Sequence, residues 1–207
     1  IFLFRNPVSI YASILTTWCN NKFLKLYGNH NDLTIGFNKL SEAYVTYKSH
    51  KNTVSINYED LVSKPDDVIK KVLAFLEVEQ DANLLNKFTN SSIDVKDQNY
   101  LGDTTGIKKY KTISSDSLNN WQSVFNTMFR KFILKKYINK TLTEQNIKAQ
   151  GYDKETIINT INSQKTTIKF NLLSDIIHYS LYKLIIRFNL YNFISKDMTW
   201  IDKKFMS

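Results

Sequence analysis

The sequence predicts an α/β protein, with a parallel sheet flanked by helices and a helical extension at the carboxyl end. Two short strand-like segments, the apolar run 1–4 and the β-branched stretch 53–57, each lead directly into a helical pattern, as strands do when helices cross between them in a parallel sheet. Elsewhere apolar residues recur at helical spacing rather than in alternation. The third observation is bulk: 207 residues, 43% hydrophobic and 23% charged, enough for one globular domain with an appendage.

Ile1-Phe2-Leu3-Phe4 is continuously apolar, the pattern of a strand buried on both faces. Arg5-Asn6-Pro7 turns the chain, and because Pro suits a first helical position, a helix is expected over residues 7–18 with Ile10, Ile14, Leu15 and Trp18 on its apolar side. The polar stretch from Asn20 to Thr34 reads as a loop. Phe37, Leu40, Tyr44 and Tyr47 then share one face of a second helix. After the strand at 53–57 the chain enters Tyr58-Glu59-Asp60-Leu61, and Ser63-Lys64-Pro65-Asp66 combines capping-box spacing with an early Pro. Val68, Val72, Phe75 and Leu76 carry that helix onward.

Residues 84–116 lose periodicity and read as a long polar loop holding Gly102, Gly106, Lys108, Lys109 and Lys111. Trp121, Val124, Phe125, Met128 and Phe132 define a single helix reaching Tyr137, and another is expected at 143–149. Gly151-Tyr152-Asp153 punctuates the chain, and the composition then shifts towards Ile, Asn, Thr and aromatics. The expected organisation is therefore a domain over 1–153 and a helical extension over 154–207. In the extension, Leu172, Leu173, Ile176, Ile177, Leu181, Leu184, Ile185 and Phe188 form an apolar stripe interrupted by Asp175, His178, Lys183 and Arg187. Those charges argue against a membrane span. The helix is expected to pack on the core or on a partner subunit in a homo-oligomer, with membrane contact as the alternative.

The balance of 28 Lys and Arg against 19 Asp and Glu gives a net charge of +9 and favours anionic partners. Abundant Lys, Asn and Ile together are also what AT-rich coding sequence produces, which weakens the charge as a sign of a polyanion. Basic residues interleave with Tyr179, Tyr182 and Tyr191, but the large apolar face favours packing, and no nucleic-acid partner is expected. One cysteine, Cys19, excludes an internal disulfide and fits a reducing, cytoplasmic setting as a small buried residue. With three scattered histidines it also excludes the usual zinc sites. His30, His50 and His178 read as solvated or structural. The first residues carry no signal-peptide n-region, and an apolar strand with nothing before it leads us to expect further sequence upstream of Ile1.

Ligands in parallel α/β sheets bind beyond the carboxyl ends of the strands, where Arg5 and Tyr58 stand. Arg5 offers a permanently charged fork matched to a phosphate, and Tyr58 an aromatic face or hydroxyl suited to a base. Ser13, two turns into the following helix, adds a neutral hydrogen-bonding group.

Ile1-Phe2-Leu3-Phe4-Arg5-Asn6-Pro7, with Ser13 eight residues after Arg5, resembles the strand, loop and helix with which sulfotransferases grip the 3′-phosphate of 3′-phosphoadenosine 5′-phosphosulfate (PAPS). Asn57-Tyr58-Glu59-Asp60-Leu61-Val62 with Pro65 resembles the family's Tyr-Glu-Asp-Leu segment. Ser117-Leu118-Asn119-Asn120-Trp121 and Gly151-Tyr152-Asp153 are similar to two later, less specific family segments, so the resemblance spans about residues 1–153. It implies a P-loop-NTPase-like sulfotransferase fold and PAPS as sulfuryl donor without a metal. It further implies Arg5 and Ser13 on the 3′-phosphate, Tyr58 against the adenine, and Lys108, Lys109 and Lys111 closing over the nucleotide. The acceptor would be a hydroxyl or amine of a carbohydrate, small molecule or protein tyrosine. Glu59 and Asp60 read as holding the turn through backbone amides, or as pairing with neighbouring basic residues, rather than as acid and base.

The sequence departs from the family at Asn120, where relatives carry Lys or Arg. The family's phosphosulfate loop and its catalytic His or Glu precede the segment that Ile1–Phe4 resembles, and Gly102-Asp103-Thr104-Thr105-Gly106-Ile107-Lys108-Lys109 has the wrong spacing to replace the loop. We therefore assign no catalytic residue and expect both elements upstream of Ile1, with the fold incomplete at the amino end. Such a fragment would be inactive alone and would bind only the bisphosphate end. Two other classes compete: a non-catalytic nucleotide-binding or partner-binding module, and a basic interaction protein using its carboxyl-terminal helix.

Overall fold

The computed structural model describes residues 1–79, 115–168 and 172–190. Strand β1 (Phe2–Phe4) pairs in parallel with β2 (Ser55–Asn57), in the register Phe2 to Ser55, Leu3 to Ile56 and Phe4 to Asn57. The Phe2 amide extends the ladder by donating to the Val54 carbonyl at 2.8 Å. These are the two strands among the described residues, and the intervening helices make the required crossover. Phe2 and Phe4 both set their rings edge-on to Tyr44 of α2 (Phe37–Tyr47), which fixes that helix against the sheet.

α1 (Pro7–Ser13) begins as its residues dictate. Asn6 caps it, its Oδ1 accepting the Val8 amide at 3.0 Å, and Pro7 takes the first position. The helix then widens into a π turn, Ile14–Trp18. This shifts the inward face from the expected stripe: Val8, Tyr11, Ala12, Leu15 and Cys19 are buried, and Trp18 is 68% exposed. Cys19 is fully enclosed, and burial pushes its thiol up to about 11.

The stretch expected to be a polar loop is instead structural. A 3-10 helix (Phe23–Asn29) and a second π turn (Asp32–Gly36) follow α1, and Phe23, Leu24, Leu26 and Leu33 point inward. Four apolar residues scattered among polar ones lack 3.6-residue periodicity, so no α-helical signal arose. Asn20 and Asn21 lead into it with φ of 48° and 62°, a conformation Asn tolerates better than other side-chain-bearing residues.

α3 (Tyr58–Ser63) and α4 (Pro65–Phe75) follow β2. The expected Ser63 cap is not used: Lys64 is the cap residue, with no side-chain bond, and Pro65 sets the first turn. A 3-10 turn (Ser115–Leu118) and α5 (Asn120–Val124) are the next described elements. The single helix expected from Trp121 to Tyr137 is broken after Val124. Thr127 starts α6 (Met128–Lys140) by accepting the Arg130 amide, so Met128 and Phe132 face outward and Ile133, Leu134, Tyr137 and Ile138 turn inward. α7 (Glu144–Ala149) is capped by Thr143 and α8 (Lys154–Ser163) by Asp153. α9 (Leu172–Phe188) completes the described chain.

One apolar core joins these parts. Leu15, Phe23, Phe125, Leu134, Ile147 and Ile161 are among its most enclosed members, each stabilising the fold by about 1.5–3 kcal/mol. α9 lies across the 3-10 helix at Phe23–Asn29 and against α6. Most of the expected stripe faces outward: of its residues Ile185 faces the core, together with Asp175, His178 and Tyr182, while Leu173, Leu184 and Phe188 are 69%, 46% and 62% exposed. The reason is a polar anchor that periodicity does not register. Arg130 of α6 donates Nε and Nη2 to the two Asp175 oxygens at 2.7 and 2.8 Å, and Nη1 to Asn21 Oδ1 at 2.7 Å. The paired, hydrogen-bonded charges make burial of Asp175 tolerable. Beside it, His30 Nδ1 meets the Tyr182 hydroxyl at 2.7 Å.

No helix among the described residues is long and apolar enough to cross a membrane. None of their side chains form a group of three or more that could hold a metal ion.

Candidate functional site

The register of the sheet builds the site. Because Phe4 pairs with Asn57, the next residues, Arg5 and Tyr58, emerge side by side at the carboxyl ends of both strands. The Arg5 guanidinium lies over the Tyr58 ring at 4.4 Å, a contact worth about 0.5–2 kcal/mol. Its Nε is buried and has no hydrogen-bond partner. A buried unpaired donor costs about 1–3 kcal/mol, more when charged, so a group here that accepts from Arg5 would relieve a penalty the free protein carries.

Asn6 is held from two directions. Its side chain caps α1, and its backbone amide donates to Glu59 Oε1 at 2.9 Å. Glu59 thus fastens the β1–α1 turn to the β2–α3 turn, in keeping with its reading as a turn-holding acceptor. The other oxygen, Oε2, accepts from the Tyr152 hydroxyl at 2.6 Å. Burial first, and then the hydrogen bond to Glu59, hold the Tyr152 phenol well above its ordinary value, so it stays protonated and donating.

The Gly151-Tyr152-Asp153 triplet, which the sequence marked as punctuation, reaches the same site. Gly151 has φ of 84°, and a Cβ there would stand 3.3 Å from Asn57 Nδ2. The positive φ favours glycine here, and a side chain would also press on the Asn57 amide at the end of β2. Asp153 accepts the Thr156 amide at 2.6 Å and starts α8, and hydrogen bonding from Thr156, its side chain first and then its amide, holds the carboxyl below the usual range. Tyr152 between them was not foreseen as a site residue. Its signal was its place in a triplet resembling a family segment.

Two cavities flank these residues. One, of about 320 Å³, is lined by Arg5, Tyr58, Phe4, Ile10, Asp32 and Gln150 among others. The second, of about 340 Å³, lies on the Asn6 side and includes Trp121, Val8, Tyr152 and Thr156. Trp121 is buried there, while Asn120 is exposed at the start of α5.

Of the residues expected from sequence, the structure brings Arg5 and Tyr58 into contact. Ser13 is half-buried at the last position of α1, and no described contact joins it to either. Lys108, Lys109 and Lys111 lie outside the described residues. Ser115–Leu118 packs against α3, the helix that starts with Tyr58.

The sulfotransferase domain model matches residues 1–147, well over half of the chain. The chain belongs to the sulfotransferase family. Neither a search of curated proteins nor one of solved structures finds a match. The matched sulfotransferase residues run from β1 to within α7 and contain Arg5, Asn6, Tyr58 and Glu59. Tyr152 and the two helices after it lie beyond them. Membership supports sulfuryl transfer in general as this sulfotransferase domain's chemistry, and the mostly helical architecture around a small parallel sheet is compatible with the expected α/β class.

Proposed function

We propose that this chain binds the adenosine 3′-phosphate end of PAPS, with Arg5 as the principal phosphate ligand, in a sulfotransferase acting on a hydroxyl or amine acceptor. The observation that carries the reading is the buried, unpaired Arg5 Nε, flattened on Tyr58 beyond two parallel strands. PAPS supplies the sulfuryl group and leaves as adenosine 3′,5′-bisphosphate. Arg5 meets the 3′-phosphate with charge-assisted bonds worth about 1.5–3 kcal/mol each. Tyr58 backs the guanidinium and offers its aromatic surface to the adenosine. Ser13 adds a neutral bond, and Lys108, Lys109 and Lys111, which lie outside the described residues, add positive charge for the nucleotide. The β1–β2 pair is read as part of a P-loop-like sheet. No residue of the chain is assigned as the acid or base of the transfer.

Calorimetry of the whole chain with adenosine 3′,5′-bisphosphate tests this. Arg5→Ala should weaken binding by about 10- to 100-fold. Equal affinity in both proteins, or no binding by the folded wild type, would overturn the assignment.

A further inference from the structure

We infer that Tyr152 is a positioning residue: its hydroxyl holds the Glu59 carboxylate away from Arg5 and so keeps the guanidinium available to an incoming phosphate. The inference rests on the reading of Arg5 as a phosphate ligand. It adds a specificity determinant from outside the matched family segment, which ends at residue 147.

The geometry carries it as follows. Glu59 follows Tyr58, and its carboxylate reaches the amide of Asn6, the residue after Arg5. A carboxylate that turned to the Arg5 guanidinium would pair with it, and that pairing would mimic and block a phosphate. Yet Arg5 and Glu59 form no ion pair among the described residues, and Arg5 Nε is unpaired. Each Glu59 oxygen is engaged elsewhere, Oε1 at 2.9 Å by Asn6 and Oε2 at 2.6 Å by Tyr152. The Asn6 amide alone would leave Oε2 free to rotate towards Arg5. Tyr152 removes that option.

Tyr152 is itself fixed from both sides. Gly151 brings the turn against Asn57, and Asp153 anchors the start of α8. Burial first, and then the bond to Glu59, hold its phenol above its ordinary value. The hydroxyl donates to the carboxylate, which is what holding it requires.

The test uses the whole chain with Tyr152→Phe, Glu59→Gln and the double variant, titrated with adenosine 3′,5′-bisphosphate and with adenosine 5′-monophosphate. Tyr152→Phe should bind the bisphosphate about tenfold more weakly and the monophosphate unchanged. Adding Glu59→Gln should restore affinity to within about twofold of wild type, because a neutral amide cannot pair with Arg5 while its oxygen still accepts from Asn6. A merely structural role predicts no rescue, since the Tyr152 hydrogen bond is missing from the double variant as well. Wild-type affinity in Tyr152→Phe, or an unrescued loss, overturns the inference. If Arg5→Ala weakens binding and Tyr152→Phe does not, this inference alone fails. If Arg5→Ala binds like wild type, the reading of Arg5 fails first.

Discussion

Three side chains at the strand ends divide the labour of one small region. Arg5 carries the charge, Asn6 fixes the turn, and Glu59 joins the two turns that flank the crevice. Their positions follow from β pairing: a one-residue change of register would put Arg5 beside Asn57 rather than Tyr58. Gly151 shows how little freedom the region has. Gly151→Ala would impose a side chain at φ of 84° and a 3.3 Å approach to Asn57 Nδ2, costing about 1–2 kcal/mol. A thermal melt should show the loss. An unchanged melting temperature would mean the turn relaxes without strain.

At the scale of elements, two polar contacts help to fix α9 on the core. Arg130→Met would leave Asp175 charged and unpaired in the interior, at a cost of about 3–5 kcal/mol. Replacing both by apolar residues of similar size should cost much less, which denaturant unfolding can compare. His30 makes the second contact. Burial, and then nearby Lys183, hold its pKa below the ordinary value. The unfolded chain therefore takes up this proton before the folded one. Stability contributed here should be intact above about pH 6.5 and decline as pH falls through that value towards the lower folded pKa. His30→Gln should flatten that part of a plot of melting temperature against pH, and an unchanged slope would assign the dependence to other groups.

At the scale of the whole molecule, Ile157, Ile161 and Tyr182 belong to the same core as Val8, Tyr11 and Leu15. Truncation after Asp153 should therefore abolish cooperative unfolding, measured by circular dichroism, rather than release a stable smaller domain.

Much of this arrangement was legible in the sequence. Both strands, the helices beginning at Pro7 and Pro65, and the meeting of Arg5 with Tyr58 follow from short apolar runs and fixed-φ prolines. What was not legible depends on contacts between distant residues. Periodicity located the apolar stripe of α9 but not the face that packs, because the inward face is chosen by Arg130 and His30, which lie far away in the chain. The 3-10 helix at Phe23–Asn29 has no α-helical period to detect. Tyr152 joined the site only through Glu59, a partner 93 residues earlier.

The most direct measurement is selectivity. Affinities for adenosine 3′,5′-bisphosphate and adenosine 5′-monophosphate, taken side by side on the wild type and Arg5→Ala, isolate the 3′-phosphate. The wild type should prefer the bisphosphate by about tenfold or more, and Arg5→Ala should erase most of that preference. An equal preference in both proteins would contradict the placement of the phosphate at Arg5.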